Sequence, residues 1–88
     1  MNFEFDPKKA TANQQKHGVA FAEVETVFFD DFGLTREDTD AIDEARFVTV
    51  GVDALGRVVA VCWTQRSENI RLISARLASP QERKSYEG

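Results

Sequence analysis

The sequence predicts an α+β fold in the order β-α-α-β-β-β-α: a small antiparallel sheet, two N-terminal helices on one face and a short C-terminal helix. Three observations predict it. Asp6-Pro7 and Gly18 bracket one helix-length segment, three β-rich runs follow across short turns, and Ser79-Pro80-Gln81-Glu82 opens a last helix. At 88 residues the chain reads as one domain, 1–88, with a thin stability margin.

"NFEF" is a short strand candidate. Asp6 then accepts from free N–H groups of the first helix, and Pro7 at its first position loses no intrahelical bond. Gly18 supplies the left-handed residue that stops this helix after His17. Ala10, Asn13 and His17 share one stripe of it, with Lys9, Asn13 and Lys16 on the adjacent one. "FAEVETVFF" places Phe21, Val24 and Phe28 on one face, with Val27 adjoining, and predicts a second, amphipathic helix.

An acidic segment follows, read as a loop with a brief strand near "GLTR". In "RFVTVGV" the alternation puts Val48, Val50 and Val52 on the core side. "DALG" turns the chain, and "RVVAVCWT", apolar on both faces, reads as a central strand. "RSEN" makes the next turn and "IRLISARL" the last strand. Ser79 and Glu82 form a capping box with Pro80 at the first helical position.

Hydrophobic residues at 42% and charged residues at 30% suit a soluble globular chain. No apolar run reaches membrane-spanning length and "MNFEFDPKK" has no apolar signal core, so the expected location is cytoplasmic. The single Cys62 has no second thiol for a disulfide or metal site, and reads as a small buried hydrophobe.

Charge is unevenly distributed. Residues 1–45 carry 4 cations and 11 carboxylates, a balance of −7; residues 46–88 carry 7 and 4, a balance of +3. Such asymmetry points to a polyanion or a charged partner. There is no Gly-rich phosphate loop, no metal-ligand spacing and no nucleophile elbow; neither a metal nor another cofactor is expected. What remains is a charge-stabilising site built from arginines.

"FEFDPKKATANQQKHGVAFAEVETVFFDD", "GRVVAVCWTQR" and "IRLISARLASPQERKSYE" together resemble the BrnT family, toxins of type II toxin–antitoxin modules. The resemblance spans Phe3 to Glu87; it rests on Asp6-Pro7, Asn13, Lys16-His17-Gly18-Val19, Ile73-Ser74-Ala75-Arg76, Glu82-Arg83 and Tyr86-Glu87. It implies a RelE-like fold and a ribonuclease that blocks translation, on free mRNA or on the ribosome. It also implies neutralisation by a BrnA-type antitoxin, through which alone the complex would bind operator DNA. This sequence has Gln65 where the family commonly has Glu, Phe5 where it usually has Trp, and Ala20 where it has Ser or Thr. Gln65 keeps open an alternative function, a catalytically inactive antitoxin-binding module acting as co-repressor.

Cleaving RNA needs a base for the 2′-hydroxyl, an acid for the leaving oxygen and positive charge for the phosphorane. Arginine supplies the last, because its planar fork matches two phosphate oxygens. Arg76 and Tyr86 occupy places similar to the arginine and tyrosine of RelE-like toxins. Arg71, five residues before Arg76, would face the opposite side of an unbroken strand. Both can serve one site only if Arg76 lies past the regular part, and the small residues of "SARLASP" suggest such a break. Arg66 at a turn and His17, with its near-neutral pKa, complete the catalytic candidates. Lys9, Lys16, Arg83 and Lys84 are candidate RNA-positioning residues. Phe47 and Trp63 could stack on bases but read better as core.

Overall fold

The computed structural model describes residues 2–88. Its elements are β1 (Asn2–Glu4), α1 (Pro7–His17), α2 (Phe21–Val24), a 3-10 segment Glu25–Phe29, β2 (Leu34–Asp38), β3 (Arg46–Val52), β4 (Val58–Arg66), β5 (Asn69–Leu77) and α3 (Pro80–Glu87). The strands form one sheet in the order β1-β5-β4-β3-β2. None of the helices described is long and apolar enough to cross a membrane.

The α+β class holds, with one correction: the sheet is mixed. Hairpins and a short loop set β2, β3, β4 and β5 antiparallel, whereas β1 runs parallel to β5, pairing Phe3 with Ile70 and Glu4 with Arg71. No hairpin joins β1 to a neighbour, so nothing local fixes its direction. The acidic segment contributes a longer strand than "GLTR" suggested, and β2 closes the far edge.

Local chemistry explains both ends of α1. The Asp6 side chain accepts from the Lys8 N–H, and Gly18 at φ 70° ends the helix. The second helix is shorter than its apolar spacing implied, for α2 gives way at Glu25 to a 3-10 segment. Its buried residues Phe21, Val24 and Val27 are three apart, the 3-10 repeat, and Thr26, Val27, Phe28 and Phe29 are weak helix formers.

The sheet has a core on each face. On one, α1 and α2 cover Val59, Val61, Ile70, Leu72 and Ala75, with Val19, Phe21, Val24 and Val27 between. On the other, Val48, Val50, Val58 and Ala60 pack with Val52, Cys62, Ala78 and Tyr86 beneath α3. The β3 valines thus point inward as expected, but towards α3 and away from the two N-terminal helices. Trp63 and Phe47 stack on the two-helix side, with ring centroids 4.9 Å apart, and Trp63 donates to Thr49 Oγ1.

Buried Asn13 ties α1 to the sheet. Its Nδ2 donates to the carbonyls of Val19 and Ala75 and its Oδ1 accepts from the Ala75 N–H, all within 2.9–3.0 Å. Because β1 ends its pairing at Arg71, the outer edge of β5 is open at Ala75, and the Asn13 amide takes a strand's place there.

Candidate functional site

Residues directly opposite one another in a sheet share a face, so the pairing register assigns each strand arginine to a side. Three rows cross the α3 face. The first reads Asp38, Arg46, Thr64, Arg71, Glu4 from β2 to β1; the second Arg36, Val48, Cys62, Ser74; the third Leu34, Val50, Ala60, Arg76. Arg66, paired with Asn69, lies beyond the first row on the same face.

Arg71 and Arg76 therefore share a side, by a break other than the one the sequence suggested. Cys62 pairs with Ser74 but Trp63 pairs with Leu72, which leaves Ile73 unopposed in a β-bulge. One extra residue reverses the alternation. The break lies inside β5, between the two arginines, and Arg76 remains in paired strand opposite Ala60.

Each of these arginines meets a carboxylate. Arg76 forms a two-pronged pair with Glu82, Nη1–Oε1 2.7 Å and Nη2–Oε2 3.0 Å. The same Glu82 accepts from the Ser79 N–H, completing the capping box of α3, and from Arg36 Nη2 at 3.3 Å. The Arg76 guanidinium, with the Ser79 N–H and Arg36, holds the Glu82 carboxyl at a pKa of about 2. Arg71 pairs with Glu4 at 3.2 Å, and Glu4 also accepts from Asn69. Bonds from Asn69 and Arg71 hold the Glu4 carboxyl below the usual carboxylate range. Arg46 and Arg66 reach Glu44 only at 3.9 Å, too long for a hydrogen bond. The Arg46 Nε is buried and has no hydrogen-bond partner.

Two adjoining grooves open on this face. One, of about 550 Å³, runs between β2, β3 and α3, lined by Leu34, Thr35, Val50, Ser79, Gln81 and Ser85 around Arg36, Arg76 and Glu82. The other, of about 290 Å³, has Val48, Ala60, Cys62 and Ser74 as its floor and Asp38 and Asp40 on its rim. Arg36 and Arg76 line both. Burial pushes the Cys62 thiol up, so it lies under the face as an un-ionised group.

The remaining sequence candidates lie elsewhere. His17 is half-buried in the last turn of α1, across the sheet from the arginines, and Lys9 and Lys16 are exposed on the same helix. Arg83 and Lys84 lie on the outer side of α3, where Arg83 meets Glu87 at 3.5 Å. The Tyr86 hydroxyl donates to Asp30 Oδ2 at 2.6 Å, and that carboxylate raises the phenol's pKa. Asp30 also accepts from the Phe32 and Val52 N–H groups. Gln65 Nε2 donates to the Ser67 carbonyl and closes its own turn, on the strand pair whose partner Ile70 belongs to the two-helix core. Arg36 and Arg46 were missed, because pairing across strands leaves no trace in residue spacing. Among the described residues no cluster of three or more His, Cys, Asp or Glu side chains could hold a metal ion.

The sequence matches the family model for the ribonuclease toxin BrnT of type II toxin–antitoxin systems over residues 5–82. The fold is similar to the crystal structure of the Brucella abortus ribonuclease toxin BrnT, with a TM-score of 0.69 and 26% identity, over 90% of this chain and 97% of that one. No curated protein matches.

Proposed function

The chain belongs to the BrnT family of ribonuclease toxins of type II toxin–antitoxin systems, and from that premise we propose that it cleaves RNA on the arginine-bearing face of its sheet. Cleavage of cellular RNA would block translation in the cytoplasm, and a BrnA-type, DNA-binding antitoxin would neutralise the toxin by covering this face. A stable antitoxin interface of that kind buries roughly 1,200–2,000 Å².

One observation carries the reading: the bulge at Ile73 brings Arg71 and Arg76 onto the face that also holds Arg36, Arg46 and Arg66. In the proposed mechanism the 2′-oxygen, losing its proton to water, attacks phosphorus and displaces the 5′-oxygen, which takes a proton from water, while these groups neutralise the charge that develops on the phosphorane. Fixed donors of this type contribute roughly 3–4 kcal/mol each where water is partly excluded. Arg76 is the best suited, since its pair with Glu82 fixes the guanidinium plane before substrate arrives. The chemistry relies on guanidinium charge and assigns no step to a metal. His17 and Tyr86 would need rearrangement to join it: one lies across the sheet, and the other is engaged by Asp30.

A single observation favours the second reading, an inactive antitoxin-binding module: every arginine of the face already has a carboxylate within 4.0 Å. Exposed pairs of this kind exchange partners at little cost, usually below about 1 kcal/mol, so a phosphate can replace most of them. Expression without antitoxin, together with incubation of purified chain with RNA, decides between the two. The ribonuclease reading expects growth arrest and fragmented RNA. Intact RNA and undisturbed translation in an extract would leave the binding module.

A further inference from the structure

The arginines of this face fall into two groups at the two ends of β4, and the most firmly held of them is Arg76. Arg36 and Arg76 converge on Glu82 where the two grooves meet, and Glu82 is itself held by the Ser79 N–H. Arg46, Arg66 and Arg71 gather at the other end of β4, where two of the three have only long ion contacts. Thr64, opposite Arg71, and Ala60, opposite Arg76, are four residues apart on β4, about 13 Å at the usual strand rise. Between the groups the floor is Val48, Cys62 and Ser74, all uncharged and two of them small.

Building on the reading that this face binds RNA, we propose that it holds two separate phosphate subsites on one RNA strand: a rigid subsite at Arg76, with the more exposed Arg36 beside it, and a docking subsite at Arg46, Arg66 and Arg71, loose at Arg46 and Arg66. Glu82 anchors one group, and Glu44 and Glu4 anchor the other at the far end of this span of β4, so the two groups hold different phosphates of an extended strand lying along β4 and β5. A nucleotide between them rests on the small residues of the floor. The rigid subsite is the place of cleavage, because a fixed guanidinium needs no reorganisation as charge develops. Glu82 is a positioning residue there, aligning Arg76 and Arg36 without touching the substrate. The docking subsite supplies affinity and register. Asp38 and Asp40 on the rim, with Glu82, Glu44 and Glu4, oppose the arginines and keep the face from binding polyanions indiscriminately.

The test uses the full chain and a single-stranded RNA decamer whose 2′-hydroxyls are O-methylated, so that binding is read without cleavage. For single strands the slope of log affinity against log salt falls by roughly 0.7 for each phosphate the protein no longer neutralises. The double variant Arg46→Ala/Arg66→Ala is expected to lower this slope by about 0.7 on the decamer, the worth of one phosphate, and to leave binding of a dinucleotide unchanged. Arg36→Gln, at a largely exposed position, is expected to weaken both ligands. Circular dichroism confirms that each variant is folded. Equal loss on dinucleotide and decamer for the double variant, or no change in slope, overturns the division into subsites. If both subsites bind as described while the unmodified decamer is left uncut, the ribonuclease reading fails and the subsites stand.

Discussion

Arg76 and Glu82 meet in a two-pronged pair, 2.7 and 3.0 Å between their paired atoms, that joins the last strand to the last helix. Glu82 caps α3 through Ser79 at the same time, so one carboxylate fixes the helix start and aims an arginine of the candidate site. Fold and site thus share a residue.

This sharing makes stability sensitive to acid. Glu82 has a folded pKa of about 2 against an ordinary value of 4.5, so its contribution is complete above pH 4.5 and lost as the pH falls towards 2. At neutral pH it amounts to about 3 kcal/mol. Urea unfolding of Glu82→Gln should show that loss at pH 7 and a smaller difference from the parent at pH 2.5. Equal stability of the two proteins at pH 7 would contradict the assignment.

Asn13 should be intolerant of change. Asn13→Ala removes three hydrogen bonds and leaves buried backbone groups of Ala75 and Val19 without partners. The expected cost is about 3 kcal/mol, enough to lower the melting temperature by well over 5 °C in so small a domain. Asn13→Asp should fare no better, because its carboxylate cannot donate to the two carbonyls. Thermal melting of both variants checks this.

Gln65 concerns the turn more than the chemistry. Its amide donates to the Ser67 carbonyl, and Ser67 is the one non-glycine residue described with positive φ, 54°. Gln65→Glu should cost under about 1 kcal/mol, the usual worth of an exposed hydrogen bond, and leave RNA cleavage within twofold of the parent. A large gain in cleavage would instead place the 65 side chain in the mechanism and support an inactive parent.

Much of the fold was legible in the sequence because its signals are local. Asp6, Pro7 and Gly18 mark α1, Ser79, Pro80 and Glu82 mark α3, and the three apolar runs mark the central strands. What escaped depends on distant partners. The parallel placement of β1, the bulge at Ile73 and the tightening of the second helix at Glu25 are settled by packing. In the candidate site Arg66, Arg71 and Arg76 were legible as cations near strand ends. Arg36 and Arg46, set in or beside the acidic segment, were not singled out, because only register places them opposite Val48 and Thr64. The partners of Tyr86 and Glu82 show the same limit: Asp30 is 56 residues from Tyr86, and Arg36 is 46 from Glu82.

The central claim is that guanidinium groups on the α3 face of the sheet carry out RNA cleavage. Its most direct test is the single-turnover cleavage rate of single-stranded RNA by purified parent, Arg76→Lys and Arg57→Lys, each shown to be folded. Arg57 is the control, an arginine committed to buried Asp53 at the opposite hairpin, with Nε–Oδ2 2.8 Å. The account predicts a fall of roughly 100-fold for Arg76→Lys, which keeps charge but loses the fork, and little change for Arg57→Lys. Cleavage by Arg76→Lys at the parental rate would contradict it.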